Sequence, residues 1–257
     1  MRIGVISDIH SNIYALKAVL KDIENKNIDK IVCTGDLVGY HTHPNEVVDL
    51  IREKNIATVM GNHDLKVATG KIKSTVGLSG EALDKILISN YALKETSQET
   101  KDFLGSLPEF LIMEAEGKLI RVVHGSPRSI TEYLKENSPE AHEVMKELSE
   151  DILLCGHSHV AYSKYYGDKL LINAGSIGKP KKGIPDSEYV IIEIKNNGVK
   201  VFFEEVPYDV ESLVRDIEKS PLPNELGLLL KTGNRNEEKK VQEIQAEYEK
   251  ACSQLDE

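Results

Sequence analysis

Two hydrophobic periods alternate along the first part of the chain. Residues 3–6, Ile-Gly-Val-Ile, are a short continuous apolar run that stops abruptly at Ser7-Asp8, the pattern of a strand buried on both faces. Ile13, Leu16, Val19, Leu20 and Ile23 then recur at the spacing of one helical face, with Ser11 or Asn12 placed to cap it. The couplet returns twice. Residues 31–34 predict a second strand, ending in Gly35-Asp36, and Pro44 suits the first turn of a helix carrying Val47, Val48 and Ile51. Residues 56–60 predict a third strand, ending in Gly61-Asn62-His63-Asp64. Such strand-helix repeats predict a parallel sheet covered by helices, with ligands gathered beyond the carboxyl ends of its strands.

From residue 65 to 107 the pattern loosens into helix interrupted by Gly70, Gly77 and Gly80 and ended by Pro108, a region expected beside or over the pocket. Residues 110–115 and 119–123 flank Glu116-Gly117-Lys118 as a hairpin whose second arm runs out into His124-Gly125-Ser126-Pro127. Ser138-Pro139-Glu140 starts another helix, and residues 152–155 lead into Gly156-His157-Ser158-His159. Residues 160–165, 169–173, 189–194 and 199–206 then read as strands joined by tight turns, Asn196-Asn197-Gly198 among them, so the second half is antiparallel or mixed sheet.

The fold class expected is α/β (α+β): a four-layer αββα sandwich of two mixed β-sheets flanked by helices, with one site along its rim. Residues 1–208 form the main domain, and 209–257 a helical extension. In the extension Val210, Leu213, Val214 and Ile217 mark a short amphipathic helix, which Pro221 and Pro223 break. Residues 237–255 form a highly charged helix with Val241, Ile244, Tyr248 and Cys252 on one side, either a surface helix or the contact of a homodimer.

Composition narrows the partners. The 257 residues, 40% of them apolar, support a sizeable core. A formal charge of -10, from 32 basic and 42 acidic residues, disfavours a nucleic acid polymer, which needs a broad positive field. Three cysteines, two of them inside predicted buried strands, suit a reducing compartment. No run of 18 apolar residues and no apolar segment of signal-peptide length occurs, so a soluble, cytoplasmic protein without a membrane partner is expected.

The chemistry lies at the strand ends. Asp8 and His10, two apart in an extended segment, point the same way and can share one metal ion. The later ends add Asp36, Asn62, His63, His124, His157 and His159, so five of the eight histidines stand directly after apolar strands. Taken singly, Asp36 could cap a helix, Asn62 could sit in a turn and His124 could be a core histidine; no structural explanation anticipates all of them together. Oxygen and imidazole without thiolate suit manganese, iron or zinc rather than calcium or an iron-sulfur cluster. The set exceeds the needs of one catalytic ion, whereas two ions about 3.5–4 Å apart would use most of it. Glycines at 35, 61, 125 and 156 remove Cβ atoms where the backbone turns beside a crowded centre. His142 falls on an exposed helix, while His41 and His43 follow Asp36 as surface residues or as a border of the pocket.

Asp8-x-His10, Gly35-Asp36, Gly61-Asn62-His63-Asp64, His124-Gly125 and Gly156-His157-x-His159 resemble, in order and type, the five blocks of the calcineurin-like metallophosphoesterase superfamily. The resemblance spans residues 1 to about 206. It implies the αββα sandwich, a binuclear metal centre and hydrolysis of phosphoesters or phosphoanhydrides by a metal-bridging hydroxide. Carried over by position, Asp8, His10 and His159 hold the first metal, Asn62, His124 and His157 the second, and Asp36 bridges both. His63 matches the family's non-ligand histidine, which gives a proton or a hydrogen bond to the leaving side of the phosphate. That division suits the chemistry, because phosphoryl transfer to water needs neutralised phosphate charge, a hydroxide near neutral pH and help for the leaving group. Asp64, beside His63, is expected to orient its ring and favour the protonated form.

Departures from the pattern narrow the branch. Leu37-Val38-Gly39-Tyr40 lacks the Asp-Arg-Gly continuation of the protein serine/threonine phosphatases and the symmetrical diadenosine tetraphosphatases, and His63 stands where the lipid A pathway pyrophosphatases carry arginine. The chain is most similar to the small prokaryotic phosphodiesterase and diadenosine-polyphosphate hydrolase group, with His124-Gly125-Ser126-Pro127-Arg128 a further likeness. A nucleotide substrate such as a dinucleoside polyphosphate follows from that resemblance. The alternatives are a general phosphodiesterase or phosphomonoesterase and, outside enzymes, a retromer-type scaffold. Substrate contacts are expected from Asn62, His63 and the loops at 37–45, 65–80, 126–135 and 176–187. Arg128 either grips a distal phosphate or forms a surface salt bridge. The Gly175-Ser176-Ile177-Gly178 turn either offers N–H groups to a phosphate or is a tight connection within the sheet.

Overall fold

Strand β1 (Arg2–Ile6) turns Ile3 and Val5 to one face and Ile6 to the other, all three fully buried, which is why its apolar run shows no alternation. In the computed structural model, which describes residues 1–195 and 198–232, β1 pairs in parallel with β2 (Lys30–Cys33). On its other side it pairs antiparallel with β9 (Ser187–Lys195). With β3 (Ala57–Thr58) and β10 (Gly198–Val206) the first sheet runs β10-β9-β1-β2-β3. The second runs β4 (Phe110–Ala115), β5 (Lys118–Val123), β6 (Ile152–Cys155), β8 (Lys169–Asn173), β7 (Tyr162–Tyr166). In it β5, β6 and β8 are parallel, and β4 and β7 are antiparallel edges.

The sheets face each other through Ile3, Val5, Val32 and Ile192 on one side and Ile120, Val122, Leu154 and Ile172 on the other. Helices α1 (Ile13–Ile23) and α2 (Pro44–Glu53) cover the outer face of the first sheet, and α6 (Pro139–Glu147) that of the second. These are the four layers the sequence predicts. Asn12 caps α1, its Oδ1 accepting from the Ala15 N–H at 3.0 Å. The loose helical region resolves into α3 (Asn62–Thr69), α4 (Gly80–Glu95) and α5 (Gln98–Ser106).

Three details differ from the sequence expectation. Strand β3 keeps only two residues, because the Met60 N–H leaves the ladder and donates to the Pro108 carbonyl at 2.8 Å. Strands β9 and β10 belong to the first sheet, so the strands of the second half do not form a sheet of their own. After α7 (Val210–Glu218), the breaking prolines give way to a further helix, α8 (Glu225–Thr232). Leu213, Val214, Ile217, Leu226 and Leu230 of this pair close onto Tyr14, Tyr40, Ile88 and Tyr91. The helix expected over 237–255, Cys252, and the turn residues Asn196 and Asn197 lie outside the described residues. Among the described residues no helix is long and apolar enough to cross a membrane.

Candidate metal centre

The two sheets end on the same rim, and the loops after β1 and β2 are zipped together there. The Asp8 N–H donates to the Gly35 carbonyl at 3.0 Å, those of Ile9 and His10 to Asp36 at 2.9 and 3.0 Å, and that of Ser11 to Leu37 at 2.9 Å. Crowding forces the backbone into unusual shapes. Asp8, His10, Asp36, His157 and His159 all have left-handed φ, between 49° and 63°, a conformation that non-glycine residues seldom adopt and that costs about 1–3 kcal/mol each, typically at functional sites. Gly61 and Gly156 show how little room is left. A Cβ at Gly61 would stand 2.1 Å from Asp36 N and Oδ1, and one at Gly156 2.0 Å from Ser7 Oγ and 2.6 Å from Asp8 Oδ2.

Asp8, His10 and His159 form one buried triad. The Oδ2 atom of Asp8 accepts from Ser7 Oγ and from the His157 N–H at 3.0 Å. Its Oδ1, equally buried, has no hydrogen-bond donor; it faces His159 Nε2 at 3.1 Å and His10 Nε2 at 3.6 Å. Both rings direct Nδ1 at a backbone carbonyl, Val38 for His10 at 3.2 Å and Lys179 for His159 at 2.8 Å. With Nδ1 of both rings on carbonyls, two Nε2 atoms 3.1 Å apart and a carboxylate oxygen converge on one point. This donor set fits a cation. Burial works to raise the Asp8 carboxyl, but His159 and His10 outweigh it and hold it well below the ordinary value, so it is ionised.

Asp36, His124 and His157 form the second triad. His124 Nδ1 faces the Thr34 carbonyl at 2.9 Å, leaving Nε2 3.3 Å from Asp36 Oδ2 and 3.0 Å from Asn62 Oδ1. His157 is turned the other way. Its Nε2 meets the Thr131 carbonyl at 3.2 Å, so Nδ1 keeps the lone pair. Burial disfavours charge on His124, yet Asp36 beside it raises the ring to about 10; a proton and a metal ion compete for the same lone pair. Burial pushes His157 down to about 4 and lowers His159. Asp36 Oδ2 lies 3.8 Å from His10 Nε2 of the first triad and 3.3 Å from His124 of the second, a position between the two sets.

The family description "Calcineurin-like phosphoesterase superfamily domain" matches residues 1–197. The chain belongs to this superfamily. It is 37% identical to an uncharacterized protein of Methanocaldococcus jannaschii over 88% of this chain and 95% of that one. The solved metallophosphoesterase of Sphaerobacter thermophilus superposes with a TM-score of 0.75 at 29% identity, over 91% of this chain and 99% of that one. A hypothetical protein of Pyrococcus horikoshii shares the fold with a TM-score of 0.80 at 22% identity, over the same shares of the two chains. The superfamily is dinuclear metal-dependent, and this phosphoesterase carries two buried triads that could each hold an ion.

Around the triads several residues stand elsewhere than the sequence suggests. Asp64 does not orient the His63 ring. Its carboxylate accepts four backbone N–H groups, from Leu37 and Val38 on Oδ1 at 2.9 and 3.2 Å and from Asp36 and Gly61 on Oδ2 at 2.9 Å each. Burial and the Asp36 charge push Asp64 up to about 7 against those donors. The His63 ring stands edge-on to His10 at 5.1 Å between centroids and beside Tyr40 at 4.9 Å. Burial takes it down to about 3, despite Asp36, so the ring is neutral and offers a hydrogen bond. Arg128 takes the surface ion-pair arrangement, with Nη2 2.6 Å from Glu132 Oε1 and Nη1 3.0 Å from Glu143 Oε2.

His41 is buried rather than on the surface, with Nδ1 2.8 Å from the His10 carbonyl. His43 precedes α2 and meets Asp216 of α7 through Nε2 at 3.0 Å. The Gly175–Gly178 turn spends its N–H groups internally, Ile177 on the Ser7 carbonyl and Gly178 on that of Asp8, both at 2.9 Å, so it is a tight connection. His142 is exposed, edge-on to Tyr166. Tyr40, edge-on to His10 at 4.8 Å, and Tyr133, stacked on His157 at 4.2 Å, border the site without having been singled out by sequence. Both fall in loops expected to supply contacts, but aromatic side chains in loops carry no signature of their own.

Proposed function

We propose that this phosphoesterase cleaves a phosphodiester or phosphoanhydride bond in a small nucleotide, a dinucleoside polyphosphate being the type of substrate, with two manganese, iron or zinc ions at the triads. Asp8, His10 and His159 would hold one ion, and Asn62, His124 and His157 the other, with Asp36 shared. What carries this reading is the position of Asp36 Oδ2 between the triads, at 3.8 Å from His10 Nε2 and 3.3 Å from His124 Nε2. Bound there, the ions would neutralise phosphate oxygens and make water nucleophilic near neutral pH.

The protein contributes position and exclusion of water. Asp8, His10 and Asp36 are buried, and backbone carbonyls fix the tautomers of His10, His124 and His159, so the centre pays no reorganisation when substrate arrives. His63 is held beside the centre by its own N–H on Asp36 Oδ1 at 2.7 Å, where its neutral ring can hydrogen-bond the leaving oxygen. A charge of -10 argues for a small substrate rather than a polynucleotide. The cysteines, buried and unpaired at 33 and 155, support a reducing, cytoplasmic setting.

The test uses metal-stripped protein reconstituted with manganese or iron, assayed in parallel on diadenosine tetraphosphate and bis(4-nitrophenyl) phosphate, with Asp36→Asn as control. Cleavage of the dinucleotide is expected, with a loss in the control greater than the roughly 10–100-fold that removal of an outer partner of a metal ligand causes. Turnover of the aryl diester alone would retain the phosphodiesterase and reject the dinucleotide.

A further inference from the structure

A cavity of about 530 Å³ opens beside the second triad, with Tyr133, Lys135, Glu136, Ser158, Val160 and Lys181 in its wall. Two residues join it to the centre. Ser158 lies in sequence between the ligand-type residues His157 and His159, and the Tyr133 ring stacks on His157 at 4.2 Å with 25° between the planes. One face of Tyr133 is thus committed to His157, yet the residue keeps 47% of its surface exposed, and Val160 across the cavity keeps 45%.

The loop carrying Tyr133 is built to stay in place. Ser126 Oγ accepts from the N–H groups of Arg128 and Ser129 at 3.0 and 3.1 Å. The Arg128 guanidinium ties Glu132, the neighbour of Tyr133, to Glu143 of α6. Leu134 on the other side is 1% exposed, and its carbonyl accepts from Tyr162 Oη at 2.7 Å. Such a preset ring loses little freedom when something lands on it. The volume falls in the range of about 300–1,000 Å³ typical of clefts for organic ligands, more than a bare phosphate needs. An aromatic ring and an aliphatic wall suit a flat apolar group, and the lysines at 135 and 181, against the one carboxylate of Glu136, leave the wall net positive.

A second cavity, of about 270 Å³, lies beside His63 with Tyr40, Lys66, Lys85 and Ile88 in its wall, and no residue lines both. The two cavities are separate, one at His63 and one at the Tyr133 ring that stacks on His157, an arrangement that suits the two substituents of a diester.

We infer that the Tyr133 cavity is a subsite for the planar base of a nucleotide ester, which stacks on the face of Tyr133 turned away from His157. The inference rests on the nucleotide phosphodiesterase reading and gives its substrate a location. Stacking of one base on an aromatic side chain is worth about 1–3 kcal/mol, or roughly 5- to 150-fold in affinity.

Calorimetry on the manganese-loaded full chain measures this directly, with thymidine 5′-monophosphate and methyl phosphate as probes. The wild type should bind the nucleotide about 5- to 150-fold more tightly than methyl phosphate. Tyr133→Leu and Val160→Glu should each collapse that ratio, and Tyr133→Phe should retain it. Equal affinities in the wild type would overturn the subsite, as would a ratio that survives both Tyr133→Leu and Val160→Glu. So would a Tyr133→Leu protein that weakens both probes alike, which would mean that the ring acts only through His157. Hydrolysis of 4-nitrophenyl thymidine 5′-phosphate and 4-nitrophenyl methyl phosphate, which share a leaving group, separates the two levels. If neither ester turns over while the affinity ratio holds, the reaction assignment fails and the base subsite stands.

Discussion

Asp64→Asn changes one atom and should weaken the fold where the triads meet. The wild-type carboxylate, fully buried, satisfies four backbone donors, two on each oxygen. An amide keeps one acceptor, so whichever way it is turned, two N–H groups lose their partner and face an NH₂ group. A buried donor left unsatisfied costs about 1–3 kcal/mol, which puts the substitution at roughly 2–6 kcal/mol. That is a large part of the 5–15 kcal/mol or so by which a domain is stable, and about 4–24 °C in Tm for a chain of this size. The turn it would loosen carries Asp36, so bound metal should fall as well. Urea unfolding reads the first effect as a lower midpoint at unchanged slope, and metal analysis of the purified protein reads the second. An Asp64→Asn protein with wild-type stability and metal content but depressed turnover would refute the backbone role and restore Asp64 as the orienter of His63.

Gly156→Ala should destabilise by about 1–3 kcal/mol and reduce metal content, because its Cβ would stand 2.0 Å from Ser7 Oγ and 2.7 Å from Thr34 Oγ1; an unchanged denaturation midpoint would contradict this. Asp216 is held below the ordinary carboxyl value of 3.8 by the Tyr14 hydroxyl at 2.6 Å and by His43. A depressed carboxyl contributes stability that is present above about pH 4 and lost as pH falls through its folded value. The advantage of wild type over Asp216→Asn, about 1–2 kcal/mol at pH 5, should therefore shrink as pH falls below 4. A gap that widens between pH 4 and 2 would reverse the sign and remove the assignment.

The donors of the two triads were legible in sequence because each sits where an apolar run ends, and the end of a parallel strand is a place that local pattern can find. Position then did the rest, since β1, β2, β5 and β6 deliver their ends to one rim. What sequence left unread depends on tertiary contact. Asp64 follows His63 in the chain, but its helical position turns its carboxylate back onto the Asp36–Val38 turn, away from the ring. His41 sits in the loop after Asp36, where sequence leaves surface and pocket open, yet its ring is buried with a bond to the His10 carbonyl. Arg128 was read with two roles, and acidic neighbours four and fifteen residues away decided between them. Strands β9 and β10 have the same apolar pattern whichever sheet they join, so no local period could have placed them beside β1. Helix α8 lies just past two prolines, which stop one helix without forbidding the next.

The placement of β9 against β1 also fixes when the first sheet can close during synthesis. The Arg2 guanidinium meets Glu193 across 191 residues of chain, an interval that a ribosome takes roughly 10–40 s to translate. Until β9 emerges, β1 is an edge strand with an open ladder beside Asp8 and His10. His157 and His159 arrive about 150 residues after the first two donors. Until they emerge, each triad lacks at least one of its three residues. A chain stalled before β9 would be released with the edge of β1 exposed, a ready template for pairing with another chain.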